Sequence, residues 1–147
     1  KESKFKLNFM FFKKEKIKDN NNEIIRICAL LVHAAKIDQN YSGEEKRIIK
    51  ETISQIDKKN ANVDDILLKG EEMEANSNQI LEFTKEVKNM SHENKIKIVE
   101  TLWKIIYSNN VADIYETGLM RKLAGLLYID SKTMGNIKKK IEKEILL

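Results

Sequence analysis

The chain has 147 residues, which fit one domain and allow it to bury a hydrophobic core of its own. It contains no Pro, five Gly and one Cys, so it lacks a disulfide framework, and strand-like alternation of Val, Thr and aromatic residues is absent. No apolar run approaches the roughly 20 residues that a membrane-spanning helix needs, and no secretory signal is visible. We therefore expect a cytoplasmic, all-α protein with a single compact domain.

The positive charge is concentrated at the beginning of the chain. Residues 1–18 hold seven Lys, two Glu and four of the five Phe, so the rest of the chain sums to −1 although the net charge is +4. We expect residues 1–21 to form a basic, aromatic arm and residues 22–147 to form the domain. The arm's Phe side chains either dock on the domain or rest on an anionic membrane surface. Nucleic acid is not an expected partner, because the run Lys138–Lys140 is interpreted as the solvated side of a terminal helix.

Apolar residues spaced three and four apart predict about seven helices. Each apolar face must bury against a neighbour, because isolated helices of this length are only marginally stable in water. The predicted helices cover about 22–37, the residues after Ser42, 63–74, the residues after Ser77 through Val87, and three segments that open at Ser91, at Asp113 and at Asp130 or Ser131. The residues expected inside include Ile24, Cys28, Leu31, Ile49, Ile53, Ile80, Leu81, Val87, Val99, Leu102, Trp103, Leu123 and Ile141.

The sequence contains a pseudo-repeat with an offset of 71 residues. The segment ALLVHAAKIDQNYSGEEKRIIKETI aligns with ETLWKIIYSNNVADIYETGLMRKLAGL, so that Asp38 falls on Asn109 and Glu45 falls on Glu116. Both copies read as an apolar helix, a polar loop and an amphipathic helix. We therefore predict a domain built from two pseudo-repeated helix–loop–helix halves.

The first polar loop is not an EF-hand, although Asp38 and Gly43 stand where that motif requires an acid and a glycine. The motif also needs a bidentate Glu at its twelfth position, where this chain has Ile49, and an apolar residue at its eighth, where it has Glu45. The second copy fails in the same way, with Met120 at the twelfth position.

The segments LLVHAAKIDQNYSGEEKRII and LWKIIYSNNVADIYETGLMRKLAGLLYID resemble the two copies of a motif of the tellurite-resistance protein B (TerB-like) family, in its uncharacterised branch. The motif is an apolar helix that ends in Ala-Asp-Gly and is followed by an acidic helix start. The resemblance covers about residues 22–130. It implies an all-helical domain of two similar halves, a link to tellurite resistance and stress response, no established enzymatic activity, and metal binding by acidic residues of the two loops.

The metal ligands that the resemblance implies are Asp38 and Glu45 in the first loop and Asn109 and Glu116 in the second, with Asp113 as a weaker fifth. The chain departs from the motif in both loops, because Ala-Asp-Gly is Ile-Asp-Gln in the first and Ser-Asn-Asn in the second. Hard oxygen donors of this kind suit a divalent cation such as Ca²⁺, Mg²⁺ or Mn²⁺. Three carboxylates and one amide would make a modest site.

Helix capping explains some of the same residues without a metal. Ser42 and Glu45 have the spacing of a capping box, and Asp113 and Glu116 come close to one. Asp38 is explained less well, because a carboxylate at the C-terminal end of a helix faces the negative end of the dipole. Two functions stay open: a stress-response module with a divalent-cation site, and a metal-free adaptor that docks an unidentified protein partner or contacts the membrane surface through its arm.

The sequence gives little support to catalysis. Cys28 and His33 are five residues apart, roughly 140° around a helix, so they do not form a dyad. Cys28 lies on the apolar face and is expected in the core, as is the pair Trp103 and Tyr107. No glycine-rich phosphate loop is recognisable. We therefore expect a protein that is not an enzyme.

Overall fold

The computed structural model describes residues 23–37, 41–58, 62–109 and 114–146. This part of the chain contains helices and no strand, so the prediction of an all-α single domain with about seven helices is confirmed. The helices are α1 (23–36), α2 (Gly43–Ile56), α3 (Val63–Ala75), α4 (Leu81–Lys88), α5 (His92–Ile106), α6 (Ile114–Leu126) and α7 (Ser131–Leu146), and a 3₁₀ turn, Tyr107–Asn109, follows α5.

Three predictions about the architecture are not decided by these helices. The arm, residues 1–21, lies outside the described residues, and the division of the chain at residue 22 stays a prediction. The pseudo-repeat also stays a prediction.

Within the described ranges, none of the helices combines the length and the apolar character that crossing a bilayer requires.

The predicted helix starts correspond to capped N-termini. The Ser91 hydroxyl accepts a hydrogen bond from the Asn94 N–H at 3.2 Å, and α5 begins at the next residue. The Asp130 carboxylate accepts from the Thr133 N–H at 2.7 Å, which identifies Asp130 as the cap of α7. These bonds satisfy amide groups that have no partner inside the helix. The hydrogen bond from Thr133 holds the pKa of Asp130 below its usual value.

The predicted start of α4 was wrong. The helix begins at Leu81, and the Ser77 hydroxyl instead donates to the Glu82 carboxylate at 2.5 Å across a preceding turn. Leu81 was expected inside but is 53% exposed, while Phe83 is buried. The reason is the helical period: Ile80, Phe83 and Val87 share the inner face, so Leu81 points away from it.

Helix α5 is the centre of the domain and packs against α2, α4 and α7. Its inner residues, which include Val99 and Leu102, are completely buried. The hydroxyls of Thr52 on α2 and Thr101 on α5 lie 2.7 Å apart in this core. The Thr101 hydroxyl is also 2.8 Å from the Lys97 carbonyl, so the buried polar pair has hydrogen-bond partners on both helices.

Helix α3 packs closely on α1 at Gly70. A Cβ atom at Gly70 would lie 2.6 Å from the Cys28 sulfur and 2.8 Å from its Cβ, so a larger residue does not fit without a shift. Cys28 is fully buried, as predicted. Burial, with a smaller effect of the Glu71 carboxylate, raises the pKa of the Cys28 thiol to about 12. The thiol therefore stays protonated and serves as a packing group.

Helix α6 ends in a Schellman motif whose left-handed residue is not a glycine. The Ile129 N–H donates to the Ala124 carbonyl at 3.0 Å, and the Tyr128 N–H donates to the Gly125 carbonyl at 3.4 Å. Tyr128 has φ 57° and is 71% exposed. The Lys88 ammonium lies 4.7 Å from the centre of its ring, a distance typical of a cation–π contact.

The run Lys138–Lys140 is only partly a solvated face. Lys138 is half-buried, and its ammonium lies 5.4 Å from the centre of the Trp103 ring. Lys140 forms an ion pair of 3.1 Å with Glu100 on α5. Two of the three Lys residues therefore help to hold α7 against α5.

Candidate functional site

The end of α1, which leads into the first loop, is joined to α3 through Glu74. The Lys36 ammonium donates to Glu74 Oε2 at 2.8 Å, and His33 Nδ1 lies 3.4 Å from Glu74 Oε1. The Glu74 side chain is only 12% exposed, so solvent screens these contacts less than it screens a surface pair. The contacts fix the point at which the chain leaves α1.

Tyr41, on the other side of the loop, is held against α2 and α3. The Lys46 ammonium lies 5.0 Å from the centre of the Tyr41 ring and 3.5 Å from the Glu71 carboxylate. Burial and the nearby negative charge of Glu71 raise the pKa of the Tyr41 hydroxyl. Lys36, before residues 38–40, and Lys46, after them, therefore each contact a carboxylate of α3.

Glu45 is the predicted ligand whose side chain the structure describes. It is 2% exposed, although it lies in the first turn of α2. The Ser42 N–H donates to Glu45 Oε2 at 3.1 Å, and the Ser42 hydroxyl contacts the same oxygen, so the predicted capping box is present. Capping accounts for one oxygen of the carboxylate and leaves the other available to a different part of the chain.

The second oxygen of Glu45 meets the end of α5. The Ser108 hydroxyl lies 3.1 Å from Glu45 Oε1, although the two residues are 63 positions apart. The same hydroxyl is 2.6 Å from the Ile105 carbonyl, and its single proton must be shared between the two acceptors. Ser108 precedes Asn109 in the 3₁₀ turn, so the start of α2 and the chain at Asn109 come together here.

The Glu45 carboxylate lacks a basic partner among the residues that the structure describes. Its contacts there are the N–H and hydroxyl of Ser42 and the hydroxyl of Ser108. A buried carboxylate is ordinarily paired with a cation or bound to a metal, because removing its charge from water is costly. The two carboxylate oxygens and the two hydroxyls form a compact group of hard oxygen donors.

The other predicted ligands are described incompletely. Asp38 and Asp113 lie outside the described residues. Asn109 and Glu116 are placed within the 3₁₀ turn and α6, but only their backbones are described. Among the described side chains, no three or more of His, Cys, Asp and Glu are grouped so that they could hold a metal ion. The predicted ligand set therefore stays a prediction, with Glu45 and the newly found Ser108 placed side by side.

These features define a small all-α domain in which an acidic side chain is buried where two helix–loop junctions meet. The family model described as "Tellurite resistance protein TerB" matches residues 25–139, most of the chain. The chain belongs to this family, as the two motif copies predicted. No curated protein and no solved structure is similar enough to count as a match.

Proposed function

We propose that this TerB-family domain is a non-enzymatic stress-response module that binds a divalent cation between its two loops. The observation that supports the proposal is the Glu45 carboxylate, which is buried, contacts Ser42 and Ser108 from separate junctions, and has no basic partner among the described residues. A cation at this position would compensate its charge.

The chemistry of the donors selects the kind of ion. Carboxylate and hydroxyl oxygens are hard ligands, which suit Ca²⁺, Mg²⁺ or Mn²⁺ better than a soft metal. The residues of the two loops would complete the coordination, and with so few carboxylates the site would bind weakly. Those residues are Asp38, Asn109, Asp113 and Glu116.

The alternative function is a metal-free adaptor. The capping box of Ser42 and Glu45 stabilises α2 without any metal, and the five net positive charges and four Phe of residues 1–18 suit an anionic surface or a partner protein. In that case the loops are purely structural, and the arm carries the function. An experiment on Glu45 separates the two functions.

The experiment is thermal unfolding after chelation, with and without added Ca²⁺, Mg²⁺ or Mn²⁺, for the wild type and Glu45→Gln. We expect one ion to raise the wild-type midpoint by several degrees, because a ligand at 100 times its Kd stabilises a fold by about 2.7 kcal/mol. Glu45→Gln should abolish the rise, because the amide keeps the shape of the side chain and loses its charge. Without ions, Glu45→Gln should be no less stable than the wild type, because burying a neutral amide costs less than burying a charge.

Glu44→Gln is the matched control. Glu44 is the neighbouring residue, its side chain is 55% exposed, and it pairs with Arg47 at 2.7 Å on the outer face of α2. This variant should keep the full response to the ion, whereas Asp38→Ala should weaken it. If no ion moves the wild-type midpoint, Glu45 is only a helix cap. Loss of binding to anionic vesicles on deletion of residues 1–18 would then support the adaptor.

A further inference from the structure

A cleft of about 520 Å³ lies between α6 and α7, beside α5. Its walls are largely apolar and include Trp103, Met120 and Met134, and two basic residues, Arg121 and Lys138, also line it. The volume falls within the range of roughly 300–1,000 Å³ that is typical of small-molecule sites. The cleft is separate from the junction of Glu45 and Ser108, because none of its lining residues belongs to that junction.

Two glycines line this cleft. Gly125 on α6 and Gly135 on α7 both line it, and a Cβ atom at either position would meet nothing within 4 Å. A glycine inside a helix is less favourable than an alanine, and here no close contact requires it. Small residues therefore stand at two positions of the lining that larger side chains could fill.

Trp103 lines the cleft with a largely buried ring. The side chain is 3% exposed, and its indole N–H has no acceptor among the described residues. The ring is held in place by Tyr107, which stacks on it with ring centres 5.9 Å apart, so this apolar wall is fixed before any ligand arrives.

The charges around the cleft favour an anion. Neither Arg121 nor Lys138 forms an ion pair with a described carboxylate; the Lys138 ammonium faces the Trp103 ring instead. Asp130 also lines the cleft, but its carboxylate accepts the hydrogen bond from the Thr133 N–H that caps α7. The two basic residues, Arg121 and Lys138, outnumber the one acidic residue, Asp130. The cleft therefore has a net positive charge beside its apolar wall.

We propose that the cleft binds a small amphipathic carboxylate. Its apolar body would pack on Trp103, Met120 and Met134, and its carboxylate would lie near Arg121 and Lys138. This activity does not depend on the proposed cation site, because the two sites share no residue.

The probe is decanoate, a simple aliphatic carboxylate, and the signal is the emission of Trp103, which is the one Trp of the chain. Decanoate should change this emission in a saturable way, whereas the neutral analogue decanol should bind at least tenfold more weakly. Lys138→Gln and Arg121→Gln should each weaken decanoate binding by about tenfold, which corresponds to about 1.4 kcal/mol, because each removes a positive charge near the carboxylate. The matched controls Lys139→Gln and Lys122→Gln lie on the same two helices outside the cleft and should bind like the wild type.

Gly135→Leu tests whether the open volume is the site. The new side chain should occupy the cleft and abolish binding without unfolding the domain, because its Cβ has free space. Gly118→Leu, also in open space but outside the cleft, should bind normally. The proposal is overturned if decanoate leaves Trp103 unchanged, if decanol binds equally well, or if Gly135→Leu binds like the wild type. Emission that depends on protein concentration in the absence of decanoate would instead assign the cleft to a second copy of the chain.

Discussion

Two contacts between helices use glycine in opposite ways. At the α1–α3 contact, Gly70 lies against Cys28 so closely that an added Cβ would be 2.6 Å from its sulfur. At the α6–α7 contact, Gly125 and Gly135 border a cleft, and an added Cβ would meet nothing within 4 Å. The same residue type therefore marks a closed contact in one region and an open one in the other.

The surroundings of the two contacts strengthen this difference. Near the closed contact, Glu74 of α3 binds Lys36 at the end of α1, so an ion pair reinforces the packing. Near the open contact, the connection between α6 and α7 contains Tyr128 in a left-handed conformation, which is costly for a residue with a side chain. The α1–α3 contact is therefore closely packed and has an ion pair nearby, whereas the α6–α7 region combines a cleft with a residue in a costly backbone conformation.

The largest predicted effect is at the closed contact. Gly70→Ala should lower the free energy of unfolding by about 1–3 kcal/mol, because the new methyl group overlaps Cys28 in a packed core. This loss should appear despite the better helix propensity of alanine, which alone would contribute about 1 kcal/mol. Urea unfolding measures the change.

Gly118→Ala is the control for helix propensity. Gly118 lies in α6 with open space around the position of its Cβ, so this variant should gain up to about 1 kcal/mol. Cys28→Ala removes the sulfur and should reduce the effect of Gly70→Ala without cancelling it, because the Cβ at 2.8 Å is still present. If Gly70→Ala is as stable as Gly118→Ala, the α1–α3 contact at Gly70 has room for a methyl group and is not closely packed.

A smaller effect of opposite sign is predicted at the open contact. Tyr128→Gly should raise the free energy of unfolding by about 1 kcal/mol or less, because glycine adopts the left-handed conformation without the cost of a Cβ. The loss of the Lys88 contact with the ring should offset part of this gain. Thermal unfolding of Tyr128→Gly and of Lys88→Gln separates the gain from the relaxed backbone from the loss of the contact between Lys88 and the ring. A lower midpoint for Tyr128→Gly would show that the ring contact outweighs the backbone strain.

The features that could be predicted from the sequence are those whose partners are close along the chain. Ser42 and Glu45 are three residues apart, as are Asp130 and Thr133, so the capping positions predict the helix starts. The buried faces follow from spacings of three and four residues, which a helix brings to one side. Leu81 was placed wrongly because the inner face is defined by Ile80, Phe83 and Val87, and Leu81 lies off that face.

The features that the sequence did not reveal depend on distant residues. The contact of Ser108 with Glu45 joins positions 63 apart, and only the packing of α5 against α2 brings them together. The one local signal was a serine in place of the alanine of the family motif. The cleft was missed for the same reason: the spacing placed Trp103 in the core, where it is, but could not show that α6 and α7 leave space beside it.

The smallest predicted effect is the pH dependence of the cap at Asp130, at one end of the cleft. The hydrogen bond from the Thr133 N–H lowers the pKa of Asp130, so its charged form stabilises the fold above the ordinary carboxyl pKa, and this contribution disappears as the pH falls through the lowered value. Asp130→Asn keeps a capping oxygen and removes the charge. Its midpoint should therefore be slightly below that of the wild type at neutral pH, and the difference should shrink toward zero in acid. Asp130→Ala, which also removes the cap, should stay below Asp130→Asn by an amount independent of pH. A difference between Asp130→Asn and the wild type that is constant from neutral to acidic pH would mean that the cap acts through its shape and not through its charge.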